Sequence, residues 1–386
     1  MTMKRFPAVL VGGPPDSGKS VLTANLTQTL YRQKVQHYVL RICPDGEGNW
    51  QHMAEQKQVR ILLAPGAWTP EFVDHLCHDL AHPHLPLIVG AGGRPRPWQK
   101  RIFDYCTHAI LLTPDDASRA HWRTLMARHS VPIIADLRST PNGQDDIDGN
   151  DAILRGTIAG LRWGHTARGP VFQALAERLG RLFHFAPAVL RQAHLDSAPA
   201  EIVVELDRLK RTLRIGGDPL FWEPESLPRV IDYLPAGMPL ALYGRAPNWL
   251  NVALGLLAFP AELVQFDVRL GWVSPPQVTM RRSMTVMDNK MIMVKVQRHK
   301  AHTRLDFSLP YSFVDILDAR GLDVVDVSLD RGVILSGKLP HWLIAGIALA
   351  YREAPWIGIY QPMLDGAVVV WSQNEQIALG NVIKAS

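Results

Sequence analysis

The alternation of apolar and polar positions along the first 135 residues predicts short buried strands separated by amphipathic helices. Apolar runs fall at Pro7–Gly12, His37–Ile42, Arg60–Ala64, Leu85–Val89, His108–Leu112 and Val131–Ala135. Helical spacing occupies Ser17–Lys34, with Leu22, Leu26 and Leu30 on one side, and then Pro70–Ala81, Pro97–Tyr105 and Asp115–Arg128. Strands that alternate with helices in this way form a mainly parallel sheet covered on both faces, an α/β fold.

Beyond about residue 170 the pattern changes, and two stretches copy one another. Leu240-Ala241-Leu242-Tyr243 followed by Gly244-Arg245-Ala246-Pro247-Asn248-Trp249-Leu250 aligns with Val333-Ile334-Leu335-Ser336 followed by Gly337-Lys338-Leu339-Pro340-His341-Trp342-Leu343. Each copy continues into an apolar helix and then an apolar strand, Leu263–Phe266 in the first and Trp356–Tyr360 in the second. Duplication explains the shared register, and two copies are too few for a solenoid. The expectation is a pair of similar α/β domains packed about a pseudo-twofold axis, with one shared cleft. The corresponding boundaries are 1–168 for the N-terminal domain, 169–282 for the first repeat and 283–386 for the second.

A chain of 386 residues, 47% of them hydrophobic, can fill two or three cores. Forty-one Lys and Arg against 36 Asp and Glu leave a formal charge of +5, which suits an anionic partner. No basic run is dense enough for a nucleic-acid arm, so duplex DNA binding is not expected. Cys43, Cys77 and Cys106 are odd in number and lack paired spacing, which argues against a disulfide framework or a structural zinc site. Residues 1–12 carry basic residues before an apolar run, yet they flow straight into a glycine-rich loop and read as a first strand. No apolar stretch approaches the roughly 18 residues a membrane helix needs. A soluble, cytoplasmic protein is expected.

Between the first strand and the first helix lies Gly13-Pro14-Pro15-Asp16-Ser17-Gly18-Lys19-Ser20, which matches the phosphate-loop pattern G-x-x-x-x-G-K-[ST]. Glycines let the backbone curl so that N–H groups face phosphates, and the helix N-terminus adds positive potential. Gly13, Ser17, Gly18, Lys19 and Ser20 are therefore candidate ATP contacts. Lys19 reaches the outer phosphates and Ser20 binds magnesium in this reading. The strand Leu85–Val89 ends in Gly90-Ala91-Gly92-Gly93-Arg94, without the acid that would position magnesium. Asp45 and Glu47, in the acidic loop Cys43–Trp50, are the candidate substitutes, and Arg94 and Arg96 are further candidate phosphate contacts. His75, His78 and His82 share a helix face that could mimic metal ligands, although no second ligand set completes a shell.

In the repeats, the unit Gly-cation-x-Pro-polar-Trp-Leu falls at a strand-to-helix junction, where a helix N-terminus and a cation can meet an anion. Gly244, Arg245, Asn248, Gly337, Lys338 and His341 are the candidate ligand contacts, while Trp249 and Trp342 are expected in the core.

The stretch Arg331–Leu343 together with Gly366-Ala367-Val368-Val369-Val370 resembles the small CRISPR-associated ring nucleases of type III systems. The loop Arg41–Trp50 and the stretch Cys106–Leu112 look like the AAA-type or kinase-like P-loop domain often fused to them. The resemblance implies a Rossmann-like fold for each repeat, cyclic tetra-adenylate as ligand, ATP with magnesium as cofactors, manganese as a second candidate cation, an antiviral context and a homo-oligomeric assembly. The family's catalytic set has a His soon after the helix, and an Asp and an Arg in a Tyr-Asp-Pro-Arg-Leu-Gly-Gly turn. Those places hold Arg352, Gln361 and Met363 in the second copy, whereas Asp267 and Arg269 remain in the first. By that resemblance Asp267 serves as base or metal ligand and Arg269 stabilises developing negative charge. Binding without cleavage, and an ATP-dependent phosphotransferase gated by the cyclic nucleotide, are the alternatives.

Overall fold

A computed structural model describes residues 6–42, 59–61, 70–216, 221–281, 292–309 and 314–384. The chain divides into two compact units, Met1–His194 and Leu195–Ser386. Both are mixed α/β structures with mostly parallel sheets.

The first unit has strands β1 (Ala8–Gly12), β2 (Tyr38–Ile42), β3 (Val59–Ile61), β4 (Leu87–Ala91), β5 (His108–Thr113), β6 (Ile133–Thr140), β7 (Asp146–Asn150) and β8 (Leu154–Ala159). They form one sheet in the order β3-β2-β4-β1-β5-β6-β8-β7, parallel except for β7. Helices α1 (Lys19–Arg32), α2 (Pro70–Ala81), α3 (Asp116–Arg128), α4 (Pro170–Phe183) and α5 (Pro187–Asp196) accompany it. Pro97–Tyr105, read from sequence as a helix, forms a 3-10 helix.

Side chains alternate across this sheet, and both faces are apolar. Leu10, Leu40, Leu87, Val89 and Leu111 pack with Val73 and Leu76 of α2 and with Trp122 and Leu125 of α3. On the opposite face, Val9, Val11, Ile88, Ile110 and Leu112 meet Leu22, Leu26 and Leu30 of α1 and Phe172, Leu175 and Leu179 of α4. Each fully buried leucine contributes roughly 1.5–3 kcal/mol. The continuous apolar runs in the sequence follow from this two-sided burial.

Asp136 of β6 is only 2% exposed. It is clamped from α3, where Arg119 Nε donates to Oδ1 at 2.9 Å and Arg123 Nε donates to Oδ2 at 2.6 Å. The arginines sit one helical turn apart, so a single helix supplies both halves of the clamp.

The second unit begins with β9 (Ile202–Glu205), α6 (Leu206–Thr212), α7 (Leu227–Tyr233), β10 (Leu240–Tyr243), α8 (Asn248–Ala258), β11 (Leu263–Asp267) and β12 (Gly271–Val273). It continues through β13 (Thr279–Arg281), β14 (Met293–Arg298), β15 (His302–Ser308), β16 (Asp323–Val325), β17 (Gly332–Gly337), α9 (His341–Ala350), β18 (Trp356–Gln361), β19 (Gly366–Ser372) and β20 (Val382–Lys384). One sheet runs β12-β11-β10-β9, another β14-β15-β17-β18-β19-β20, and β13 pairs with β16.

The two larger sheets carry the same motif. Three parallel strands, β9-β10-β11 or β15-β17-β18, are followed by an antiparallel strand, β12 or β19, with α8 or α9 in the equivalent crossover. Helices α8 and α9 pack together, and one core contains Trp249, Leu250 and Leu254 of the first with Trp342, Leu343 and Ile347 of the second. Trp249 and Trp342 are each 1% exposed, so they hold the repeats together. A methyl on Gly255 of α8 would lie 3.3 Å from Leu263 Cδ2 of β11, a tight contact, and 3.7 Å from the Ala345 Cβ of α9, an ordinary one.

Candidate functional site

In the first unit, the loop from Gly13 to Gly18 joins β1 to α1 at the carboxyl edge of the parallel strands. Gly13 has φ 151°, and a Cβ there would lie 2.0 Å from the Leu112 carbonyl oxygen, so only glycine fits. Gly18 is left-handed, with φ 82°, and caps α1 without a side-chain hydrogen bond. Ser17 is buried, and its hydroxyl donates to Pro14 O at 2.9 Å. The Lys19 ammonium folds back over the loop, donating to Pro14 O at 2.5 Å and reaching Ser17 Oγ at 3.4 Å. Ser20 follows in the first turn of α1. A cation held over a glycine-shaped loop, ahead of a helix whose capping residue has no side chain, fits a polyphosphate anion.

Neighbouring segments close on the same loop. The Gly90–Gly93 turn after β4 packs against it, since a Cβ on Gly93 would lie 2.4 Å from Pro15 N, and exposed Arg94 follows directly. Arg96 is also exposed, two residues further on. Leu161, just past β8, lies 3.0 Å from where a Gly18 side chain would begin. Asn25 of α1 ties that segment down, accepting from Ala167 N at 2.9 Å. The tip of β4 carries Gly90 and no acid. Asp115, past β5, is spent as the N-cap of α3, accepting from Ser118 N at 2.7 Å. Asp45 and Glu47 lie outside the described residues.

His75 pairs with Asp79, while the His78 and His82 rings lie 4.7 Å apart. Among the described residues no group of three His, Cys, Asp or Glu side chains is arranged to hold a metal. Cys77 and Cys106 are buried and not disulfide-bonded, and burial pushes the Cys77 thiol pKa up.

In the second unit, the two copies of the glycine motif face each other. Gly244 and Gly337 both have positive φ, 117° and 147°, and turn the chain from strand into helix. Arg245 and Lys338 follow them and are exposed. The first residues of the two helices, Asn248 and His341, meet across the repeats: His341 Nδ1 lies 2.5 Å from Asn248 Oδ1, and Asn248 Nδ2 donates to Leu339 O at 3.3 Å.

The turns after the third strands complete the arrangement by exchange, each facing the motif of the other copy. A cleft of about 290 Å³ is lined by Arg245, Pro247 and Trp249 of the first repeat, by Gln361 and Met363 of the second, and by Trp222. In the other half, the Asp267 carboxylate acts electrostatically on His341. Desolvation by the surrounding protein lowers the His341 pKa, against the opposing pull of Asp267. Asp267 Oδ1 accepts from Arg269 N at 2.8 Å and lies 3.6 Å from Arg269 Nε. The turn Asp267–Arg269 thus holds an acid and a cation together.

Two features of this site carry no motif in the sequence. Trp222 is 3% exposed, and its buried Nε1 makes no hydrogen bond in the structure. Gln265 lies two residues before Asp267 on the same face of β11, buried with both amide atoms unpartnered. Buried polar atoms without partners are uncommon in folded proteins. The only signal in the sequence was a polar residue inside an apolar strand.

Residues 313–384 match the family model described as CRISPR-associated protein (Cas_csx3). The matched segment holds β17, α9, β18 and β19, the second copy of the repeat, and supports a CRISPR-associated protein. A protein of Aquifex aeolicus (strain VF5), described as "Uncharacterized protein", is 40% identical over 52 residues, 14% of this chain and 47% of its own length. The chain therefore spans about half the length of that relative. Among the described residues no helix is long and apolar enough to cross a membrane.

Proposed function

We propose that residues 195–386 bind cyclic tetra-adenylate across the pseudo-twofold face of the repeats and cleave it, and that Gly13–Ser20 bind ATP, in a type III CRISPR accessory protein. The observation that carries this reading is the meeting of Asn248 and His341 at the helix starts, with Arg245 and Lys338 one short step away in each copy. Two helix N-termini and two exposed cations related by near-twofold symmetry suit a ring of phosphodiesters that is itself symmetric.

Ring opening is in-line displacement at phosphorus. Arg269 is placed to stabilise the charge that develops on the phosphoryl oxygens. Gln361 and Met363 occupy the equivalent turn of the second copy, so the acid and cation serve one half only. At the N-terminal loop, Lys19 and the backbone around Gly18 would hold the phosphates, and Ser20 would hold a magnesium ion, which would supply charge neutralisation.

The test is incubation of the full chain with cyclic tetra-adenylate, with and without manganese and ATP. Linear di-adenylate as end product, lost in Asp267→Ala, is expected. Measurable binding with an intact ring would reduce the repeats to a sensor. No binding of any ring size would overturn the reading.

A further inference from the structure

We infer that His341 is the general base of the ring-opening step and that Asn248, contributed by the other repeat, is the residue that positions it. The inference rests on the ring-cleaving reading above and adds to it the identity of the base and the half of the cleft in which it works.

The tautomer follows from the hydrogen bonds. Asn248 Nδ2 donates to the Leu339 carbonyl at 3.3 Å, so the other end of the amide, Oδ1, faces the imidazole. Reversing the amide would set its oxygen against the Leu339 oxygen, two acceptors with no proton between them. Oδ1 can only accept, so His341 Nδ1 must carry the proton. A neutral imidazole has one N–H, and the lone pair therefore resides on Nε2.

Three further features suit a base. His341 is the first residue of α9, where the positive end of the helix disfavours an imidazolium, and desolvation where the two helix starts meet acts in the same sense. The base form therefore prevails at neutral pH. Asp267 opposes both effects, so it stabilises the imidazolium once a proton has been taken. A carboxylate and a carboxamide around one histidine follow the logic of triads, in which one partner orients the ring and another stabilises its charge. Asp267 Oδ1 is already engaged by the Arg269 N–H of its own turn, and the proton is assigned to His341 Nε2.

The cleft beside Arg245 and Gln361 lacks these groups. The position equivalent to His341 is Asn248, and the position equivalent to Asp267 is Gln361. Base chemistry is therefore one-sided, and the cleft beside Arg245 and Trp222 holds the ring without cutting it.

In the step itself, His341 Nε2 takes the proton of a ribose 2′-hydroxyl as the oxygen bonds to the adjacent phosphorus. The bond from phosphorus to the 5′-oxygen breaks, and that oxygen takes a proton from water. The imidazolium returns its proton to solvent. The products are a 2′,3′-cyclic phosphate and a 5′-hydroxyl, with no redox change. A single base opens the ring once per encounter, so linear tetra-adenylate must precede di-adenylate.

The test uses single-turnover cleavage of cyclic tetra-adenylate by the full chain. His341→Gln should slow ring opening at saturating ring about 10²- to 10³-fold while the thermal midpoint stays near wild type. Asn248→Asp replaces the accepting amide by a carboxylate, which stabilises the imidazolium, and should move the acidic limb of the pH–rate profile upward. Linear tetra-adenylate should accumulate transiently. Wild-type rates in His341→Gln, or an unmoved profile in a folded Asn248→Asp, would overturn the assignment while leaving ring cleavage intact. A wild-type chain that binds the ring and leaves it whole would instead overturn the cleavage reading, and the base with it.

Discussion

His341 Nδ1 and Asn248 Oδ1 lie 2.5 Å apart, although 93 residues separate them in sequence. They occupy the same place in two copies of one motif, directly after Gly-cation-x-Pro and at the start of α8 or α9. The hydrogen bond thus joins a repeat to its own copy, with a different residue on each side. His–His would leave donor facing donor or acceptor facing acceptor unless one ring changed tautomer, whereas Asn with His is complementary. Asn248→Ala and His341→Ala should each destabilise the second unit slightly, and the double mutant should show a coupling of about 0.5–1.5 kcal/mol in a double-mutant cycle. Urea unfolding provides the measurement, and strict additivity would mean that the bond contributes nothing in solution.

The two motif glycines predict unequal costs. Gly244 and Gly337 both adopt positive φ, so alanine at either incurs backbone strain of about 1–3 kcal/mol. At Gly244 a methyl has space, its nearest neighbour being Leu206 Cβ at 3.5 Å. At Gly337 it would lie 2.4 Å from the Phe307 carbonyl oxygen, which is backbone and cannot yield cheaply. Gly337→Ala should therefore lower the denaturation midpoint clearly more than Gly244→Ala. Equal losses would show that β15 moves aside.

Asp136 in the first unit makes a sharper stability prediction. Its buried carboxylate neutralises Arg119 and Arg123, which are 22% and 48% exposed, and Asp136→Ala removes the partner of both. Breaking a buried pair from one side costs about 3–5 kcal/mol, and the lower figure suits a site where Arg123 remains half exposed. Arg123→Ala should cost less, because Arg119 still pairs the acid. Chemical denaturation of the two variants should rank them in that order.

Buried histidines set the acid limit of the fold. Burial lowers the pKa of His37, His194 and His302, in each case as the largest cause, and His302 is pressed further by His299, whose ring is stacked on it at 4.6 Å. In the unfolded chain each returns to about 6.5. Below that value the unfolded state binds protons that the native state refuses, so stability falls as the pH drops through about 6.5 toward the lower folded values and is flat above. Urea midpoints measured from pH 5 to 8 should show this slope, and His302→Gln should reduce it.

Much of the first unit was legible in the sequence because its strands are buried on both faces. Continuous runs such as Ala8–Gly12 and His108–Thr113 have no other plausible use, and α2 begins and ends where its pattern does. The β7-β8 hairpin was not legible: Asp146–Asn150 is mostly exposed and polar, and its pairing with β8 is decided by tertiary contact. The repeat was visible through its glycines, prolines and tryptophans, which are demanded locally by turn and core. The exchange between copies was not, since nothing in Asp267 or Met363 reveals which helix start it will face. Trp222 lies outside any motif and entered the cleft only through folding.

Lys19 provides the test that separates nucleotide binding from folding. Its ammonium rests on Pro14 O and near Ser17 Oγ, contacts within its own loop that a phosphate would replace. Lys19→Ala should leave the thermal midpoint of the free protein nearly unchanged, because the lost bonds are local and partly solvated. It should also remove a charge-assisted hydrogen bond to bound nucleotide, about 1.5–3 kcal/mol, or roughly 10- to 100-fold in Kd. Since a ligand that binds only the folded state raises the midpoint in proportion to its saturation, the ATP-induced shift of the wild type should vanish in the variant at ATP concentrations near the wild-type Kd. Gly13→Ala is the useful contrast, because its methyl would strike the Leu112 carbonyl and should lower the free-protein midpoint as well. A wild type whose midpoint ignores ATP with magnesium would show that the glycine-shaped loop holds no triphosphate, whatever its sequence.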